Sequence, residues 1–145
     1  MAGEHFTGAH RVALLAACGI RPGGRPDVAV TDVPLVGTAM PDMPHRVALA
    51  YPASGPGEVM EGDAEWVGMV LRIRWDPADP VGAEQAALEA HRALTRAPFP
   101  LYVGDVRVIA VTGDRPTVVD TPEDTDRTTY SGSYLLMLAE FDHEG

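Results

Sequence analysis

The sequence predicts an α+β domain: a mainly antiparallel sheet of about four to five strands with two helices packed on one face. Three observations carry this. The stretch AEWVGMVLRIRW (Ala64–Trp75) alternates with period two, setting Val67, Met69, Leu71, Ile73 and Trp75 on one face and Trp66, Val70, Arg72 and Arg74 on the other. The stretch 82–97 follows at once with helical spacing, and Ala83, Ala87, Ala90, Leu94 and Ala97 share one side that is small enough to sit close on a sheet. The remaining apolar runs are short and separated by proline and glycine, 13 and 15 of them in 145 residues, as turns between strands require. This length suits a single domain covering residues 1–145.

The elements follow in order. Thr7 is placed to cap a helix running to about Cys18, with Val12, Leu15 and Ala16 as its apolar stripe and Gly19 suited to a left-handed ending. RPGGRP (Arg21–Pro26) reads as a turn. Asp27–Gly37 reads as a strand in which Pro34 marks an edge position or an irregularity. After a turn at PDMP (Pro41–Pro44), His45–Tyr51 is a second strand with Val47, Leu49 and Tyr51 on one face. Pro52–Asp63 is an acidic loop, and Ala64–Trp75 is the third strand. DPADP (Asp76–Pro80) breaks that strand, since each proline forces the residue before it toward extended geometry, and Pro98 and Pro100 end the helix that follows. Gly104–Asp114 is a strand, Arg115–Thr129 a polar loop with four acids between Asp120 and Asp126, and Tyr130–Phe141 the last strand. Its YLLMLA segment is apolar on both faces, the pattern of a central strand or of one covered on its far side by another subunit. The order is α, β, β, β, α, β, β, with room for a strand–helix–strand crossover about the second helix.

The net charge is −10 and the isoelectric point about 4.7, which argues against nucleic acid or an anionic membrane as a bound partner, because both need a basic surface. The charge favours solubility or a basic protein partner. No apolar run approaches the ~18 residues of a membrane span. Cys18 is the only cysteine, which leaves no intrachain disulfide and no thiolate metal cluster. LAAC (Leu15–Cys18) resembles a lipoprotein cleavage site, but the start carries Glu4 beside Arg11, and Val12–Ala17 falls short of the ~7–15 apolar residues of a signal peptide. The expectation is an amphipathic helix that ends in Cys-Gly.

Candidate chemistry is sparse. Asp76 and Asp79 offer two carboxylates where a hard cation takes several oxygens, so they are expected to serve the strand-to-helix connection, near the positive end of the helix. His91 falls at the flank of the second helix with no nucleophile motif to serve, and His5, His10, His45 and His143 show no ligand spacing. The glycine-rich turns match no phosphate loop, and PEDTDR (Pro122–Arg127) lacks the spacing of a calcium loop. No catalytic set, metal or cofactor is expected. The residues that stand out are Arg72 and Arg74, beside Trp66 on the mixed strand face. Arginine with an aromatic neighbour is common at protein interfaces, and the acidic surface elsewhere offers partners in a neighbouring copy, as a head-to-tail ring would need.

The layout resembles the tail terminator family of long-tailed bacteriophages, also described as minor capsid or minor tail proteins. Four stretches carry the resemblance, from about residue 7 to 141: a first helix ending near ACGI, a strand closing in LRIRWDP, the helix GAEQAALEAHRALT, and PTVVDTPEDTDRTTYSGSYLLML with its pair Asp126 and Arg127. The order and spacing carry it rather than any one motif. The resemblance implies a structural virion protein rather than an enzyme: a hexameric ring at the head–tail junction that caps the tail tube and ends its polymerisation. It also implies a surface offered to the head-side connector and a lumen through which DNA passes without specific binding. Subunit or partner contacts would then involve Trp66, Arg72, Arg74, Asp126, Arg127, Tyr130 and Tyr134. Another head–tail connector or neck protein is the alternative, and a small ligand-binding domain the more distant one.

Overall fold

The computed structural model describes residues 6–20, 28–32, 46–53, 58–59, 64–119 and 127–140. The turns expected at 21–26 and 41–44, Pro34, most of the 52–63 loop and Asp126 lie outside these residues, as do His5, His45 and His143.

Helix α1 spans Gly8–Ala17 with Thr7 as its N-cap. The Thr7 N–H donates to Nδ1 of His10 at 3.0 Å, so the backbone group a helix start leaves unpaired is satisfied by a side chain one turn on. His10 stacks on Phe6 and reaches Asp105 Oδ1 with Nε2, also at 3.0 Å. Gly19, at φ +86°, closes the helix: its N–H donates to Ala16 O and that of Ile20 to Leu15 O, with Ile20 and Leu15 both buried. The buried stripe is Gly8, Arg11, Leu14 and Leu15, rotated from the expected one: Ala16 is exposed and Val12 half-buried. Arg11 hid this register, because a charged residue reads as solvent-facing. Here it is 8% exposed and donates to Phe6 O.

Among the described residues the sheet has eight strands: β1 (Val28–Asp32), β2 (Arg46–Pro52), β3 (Glu58–Val59), β4 (Ala64–Pro77), β5 (Leu101–Val103), β6 (Val106–Gly113), β7 (Thr117–Val118) and β8 (Arg127–Glu140). Its main order is β1-β2-β4-β8-β6-β5, with β3 beside β4 and β7 beside β8. All pairings are antiparallel except β1 with β2. The mixed α+β class therefore holds. The additional strands β3, β5 and β7 are two or three residues long, too short to show a periodicity. β8 begins before Tyr130 because Arg127–Thr129 pair with the end of β4. β4 and β8, at 14 residues each, form the spine, about 45 Å of paired strand. Helix α2 (Pro80–Thr95) joins β4 to the β5–β6 hairpin. β6 runs parallel to β4 with β8 between them, so the crossover is a split one.

The two described helices, α1 and α2, lie on one face. Leu14, Leu15, Ala83, Ala90 and Leu94 pack with Ala48, Ala50, Met69, Leu71, Ile73, Val108, Leu136 and Leu138. α1 touches β1 and β2 at one end of the strand order and β5 at the other, so the sheet curls until both edges meet one helix. The alanines of α2 face the sheet as their spacing requires: Ala83, Ala87 and Ala90 are all buried.

The DPADP segment is a connector with two assigned carboxylates. Asp76 accepts from Arg46 at 2.9 and 2.5 Å, and the Arg46 guanidinium lies over the Trp75 ring, 4.3 Å from its centroid. Ala78 takes a left-handed φ of 58°, which turns the chain, and Asp79 then caps α2 by accepting from Gly82 N–H at 3.0 Å, with Pro80 in the first turn. A Cβ at Gly82 would stand 2.2 Å from Asp79 Oδ2 and 2.6 Å from Trp75 Nε1, so the cap and the indole together require glycine there. Asp79→Ala should lower unfolding free energy by ~1 kcal/mol in urea titration, the usual worth of such a cap. An unchanged midpoint would mean that solvent caps the helix equally well.

Candidate functional site

The sheet has a second face, turned away from the helices. Cross-strand register assigns its members, since paired residues share a face. From β2 come Val47, Leu49 and Tyr51; from β4 Trp66, Gly68, Val70, Arg72 and Arg74; from β8 Thr129, Ser131, Ser133, Leu135, Met137 and Ala139. β6 adds Arg107, Ala110 and Thr112, and β5 adds Tyr102.

This face has a definite layout. Trp66, Val70 and Met137 are half-buried at its centre, and Leu135, in the middle of a central strand, is 51% exposed. Tyr102 is 55% exposed beside Arg107. Arginines stand at the two ends: Arg107 at one, and Arg72, Arg74 and, by alternation along β8, Arg127 at the other. The Arg72 guanidinium lies 5.5 Å from the Tyr51 ring centroid. The Nε atoms of Arg72 and Arg107 are buried with no hydrogen-bond partner. A buried N–H without an acceptor is costly, and guanidinium presents its donors in a fork that fits carboxylates.

The residues expected at an interface divide three ways. Trp66, Arg72 and Arg127 are half-buried on this outer face. Arg74 shares the face and is 5% exposed. It lies between Val47 and Thr129, and Val47 and Leu49 are buried too, the arrangement in which arginine stems cover apolar neighbours. Tyr130 and Tyr134, which the resemblance implies at contacts, belong to the other face. Tyr130 is half-buried opposite Ile73, and Tyr134 is 2% exposed opposite Met69. Both are core residues because β8 is central and its inner face points at α2.

Tyr134 lies in a notch made by two glycines. A Cβ at Gly113 would fall 2.4 Å from its ring, and one at Gly132 would fall 3.0 Å from its hydroxyl. The hydroxyl shares a 3.0 Å hydrogen bond with Nδ1 of His91 on α2, which gives that helix-flank histidine a structural role. Burial pushes the Tyr134 phenol up to about 12 from its usual 10, and the half-buried Cys18 thiol up to about 11 from 9. In each case the folded chain holds the neutral form more strongly than the unfolded chain does. Stability from Cys18 is therefore present below pH 9 and lost as pH rises through 11, and from Tyr134 it is present below pH 10 and lost toward 12. Urea midpoints should fall across that range, and Tyr134→Phe should flatten the decline above pH 10. A parallel decline in the variant would remove Tyr134 as the cause.

Arg107, Tyr102, Met137 and Leu135 carry this face but were not singled out in the sequence. Arginine in VRVIAVTG looks like any outward residue of an amphipathic strand. The one available signal was the two-sided apolarity of YLLMLA, which marks β8 as central and leaves Leu135 exposed. Among the described residues no group of three His, Cys, Asp or Glu side chains is placed to hold a metal, and no helix is long and apolar enough to cross a membrane.

No model of a protein family matches the chain, and no curated protein matches it. Solved structures do share its fold. One is a chain of the structure described as "Virion of native gene transfer agent (GTA) particle", 19% identical, matching over 88% of this chain and 85% of that one with a TM-score of 0.54. What stands, then, is an α+β fold held in common with a chain of a gene transfer agent virion.

Proposed function

We propose that this chain is a structural component of a phage-like particle, not an enzyme, and that within the particle it acts as a tail terminator. Copies would form a ring, six by the family resemblance, that caps the tail tube, halts its growth and offers a surface to the head-side connector while DNA passes through the lumen. The observation that carries this reading is the fold shared along 88% of the chain with a chain of a gene transfer agent virion. The outer sheet face supports it, since a central-strand leucine left half exposed among Trp66, Met137 and Val70 suits a protein that works in an assembly.

The test is reconstitution. Tail tube protein polymerised with and without the full chain should give shorter tubes with capped ends by electron microscopy, and mass photometry should find rings. Tubes of unchanged length, with a chain that stays monomeric at every concentration, would defeat the reading. Binding to a head-side connector without binding to the tube would instead place the protein elsewhere in the neck.

A further inference from the structure

The structure assigns the outer sheet face to a particular occupant: we infer that the helix layer of a second copy of this chain docks there, its α2 carboxylates meeting the arginines at the ends of the face. The inference rests on the ring reading above and names the surfaces that would build it.

Charge segregation is the first argument. The chain carries 21 acidic residues against 11 basic ones. By register the outer face carries four arginines, Arg72, Arg74, Arg107 and Arg127, against Glu58, which pairs with Trp66, and Asp76 past the β4 irregularity, which is bonded to Arg46. A basic face on an acidic protein is complementary to the rest of that protein. The second argument is composition. An apolar centre of Trp66, Val70, Leu135 and Met137 between arginine ends matches the core of a protein interface, in which Trp, Met and Arg are enriched. It is a poor match for a nucleic-acid groove, which would surround phosphates with cations rather than with Leu and Met.

The third argument is unsatisfied chemistry. Arg72 and Arg107 each hold a buried Nε–H without an acceptor. A carboxylate arriving from outside would meet the terminal nitrogens of such a fork, and a turn of the side chain would bring the enclosed Nε–H to it as well. The fourth is geometry. The described residues form two layers, so among them the surface opposite this face is the outside of the helices. There α2 exposes Val81, Glu84, Gln85 and Glu89, with Val81 66% exposed, before turning basic at Arg92 and Arg96. Setting the outside of one copy's α2 on the next copy's sheet joins two different patches, and such a heterologous contact closes into a ring when the rotation allows. It also covers the sheet with helices on both sides, as the two-faced apolarity of β8 calls for.

Paired charge reversals in the full chain test this. Arg72→Glu with Arg107→Glu should weaken self-association on the order of tenfold or more, as should Glu84→Arg with Glu89→Arg, because each sets like charges across the contact. Mixing the two variants should restore assembly, now alternating, because each reversed face meets a reversed helix. If mixing restores nothing, or if either variant assembles as the wild type does, the inference falls. Melting curves check that the variants are folded. If one is not, hydroxyl-radical footprinting of the wild type decides: Trp66, Tyr102 and Met137 should become protected as the protein assembles, and unchanged labelling overturns the proposal. A random-sequence DNA duplex serves as a control probe. If the wild type binds it and the arginine variant loses that binding while still assembling, the face belongs to DNA. Rings that persist and still shorten tubes after both reversals would sink this docking surface and leave the tail-terminator reading standing. A wild type that never assembles would remove both.

Discussion

Leu71→Asp is expected to leave the chain unfolded at neutral pH. Leu71 is 4% exposed on the inner face of β4, between Ala50 and Gly132, in the cluster that α1 and α2 cover. The substitution removes a buried aliphatic side chain, which alone costs ~2–5 kcal/mol. It also places a carboxyl in an apolar layer, where the ionised form is disfavoured by several kcal/mol more or the group must take up a proton to stay. Against a total stability of ~5–15 kcal/mol for a domain, that sum exceeds or nearly exhausts what holds the fold. Far-ultraviolet circular dichroism and a flat thermal scan should report the loss. A cooperative melt within a few degrees of the wild type would show that the inner face of β4 has been assigned wrongly. Partial recovery at acid pH would fit an introduced carboxyl that has taken up its proton.

Gly113→Ala is the second large effect. One methyl group there would lie 2.4 Å from the Tyr134 ring and 2.7 Å from Ser133 O. The backbone oxygen belongs to the sheet and cannot withdraw, so the ring must swing out of its notch. That breaks the bond from the phenol to His91 and opens space under α2. Overpacking of this kind costs ~1–3 kcal/mol, and losing the hydrogen bond adds ~1 kcal/mol. The check is a thermodynamic cycle with Tyr134→Phe and Tyr134→Ala. The penalty of Gly113→Ala should persist in full with Phe, which keeps the ring, and shrink with Ala, which removes the ring and leaves only the 2.7 Å contact with Ser133 O. Equal penalties in all three backgrounds would place the strain in the backbone instead.

The inner half of the fold was readable from spacing because its signal is strong and local. Met69, Leu71, Ile73 and Trp75 alternate without interruption, and the alanines of α2 repeat at helical intervals, so both buried faces were assigned correctly. Failures came where polar residues are buried or where strands are too short for a period. Arg11 is largely buried, yet a charged residue reads as solvent-facing, so spacing alone predicts a rotated α1 stripe. Tyr130 and Tyr134 resemble surface aromatics until pairing with β4 fixes their parity, and that register depends on residues some sixty positions away. The candidate site suffered in the same way. Trp66 and Arg72 were visible on their own strand, but Arg107 and Tyr102 join them only through pairing between strands.

The place of β8 has one more consequence. It lies between β4 and β6, and both precede it in the chain. A nascent chain synthesised only as far as β6 therefore has its two halves facing across an empty slot, with two open strand edges and no spine. The pairing that fills the slot joins Ala64 to Ala139 and Arg74 to Thr129, contacts of high sequence separation that form late and slowly. Until then those edges are templates for intermolecular pairing. Production of this protein should accordingly be limited by the interval between the emergence of β6 and the arrival of β8, an interval in which a chaperone or a lower synthesis temperature would raise the yield of folded chain.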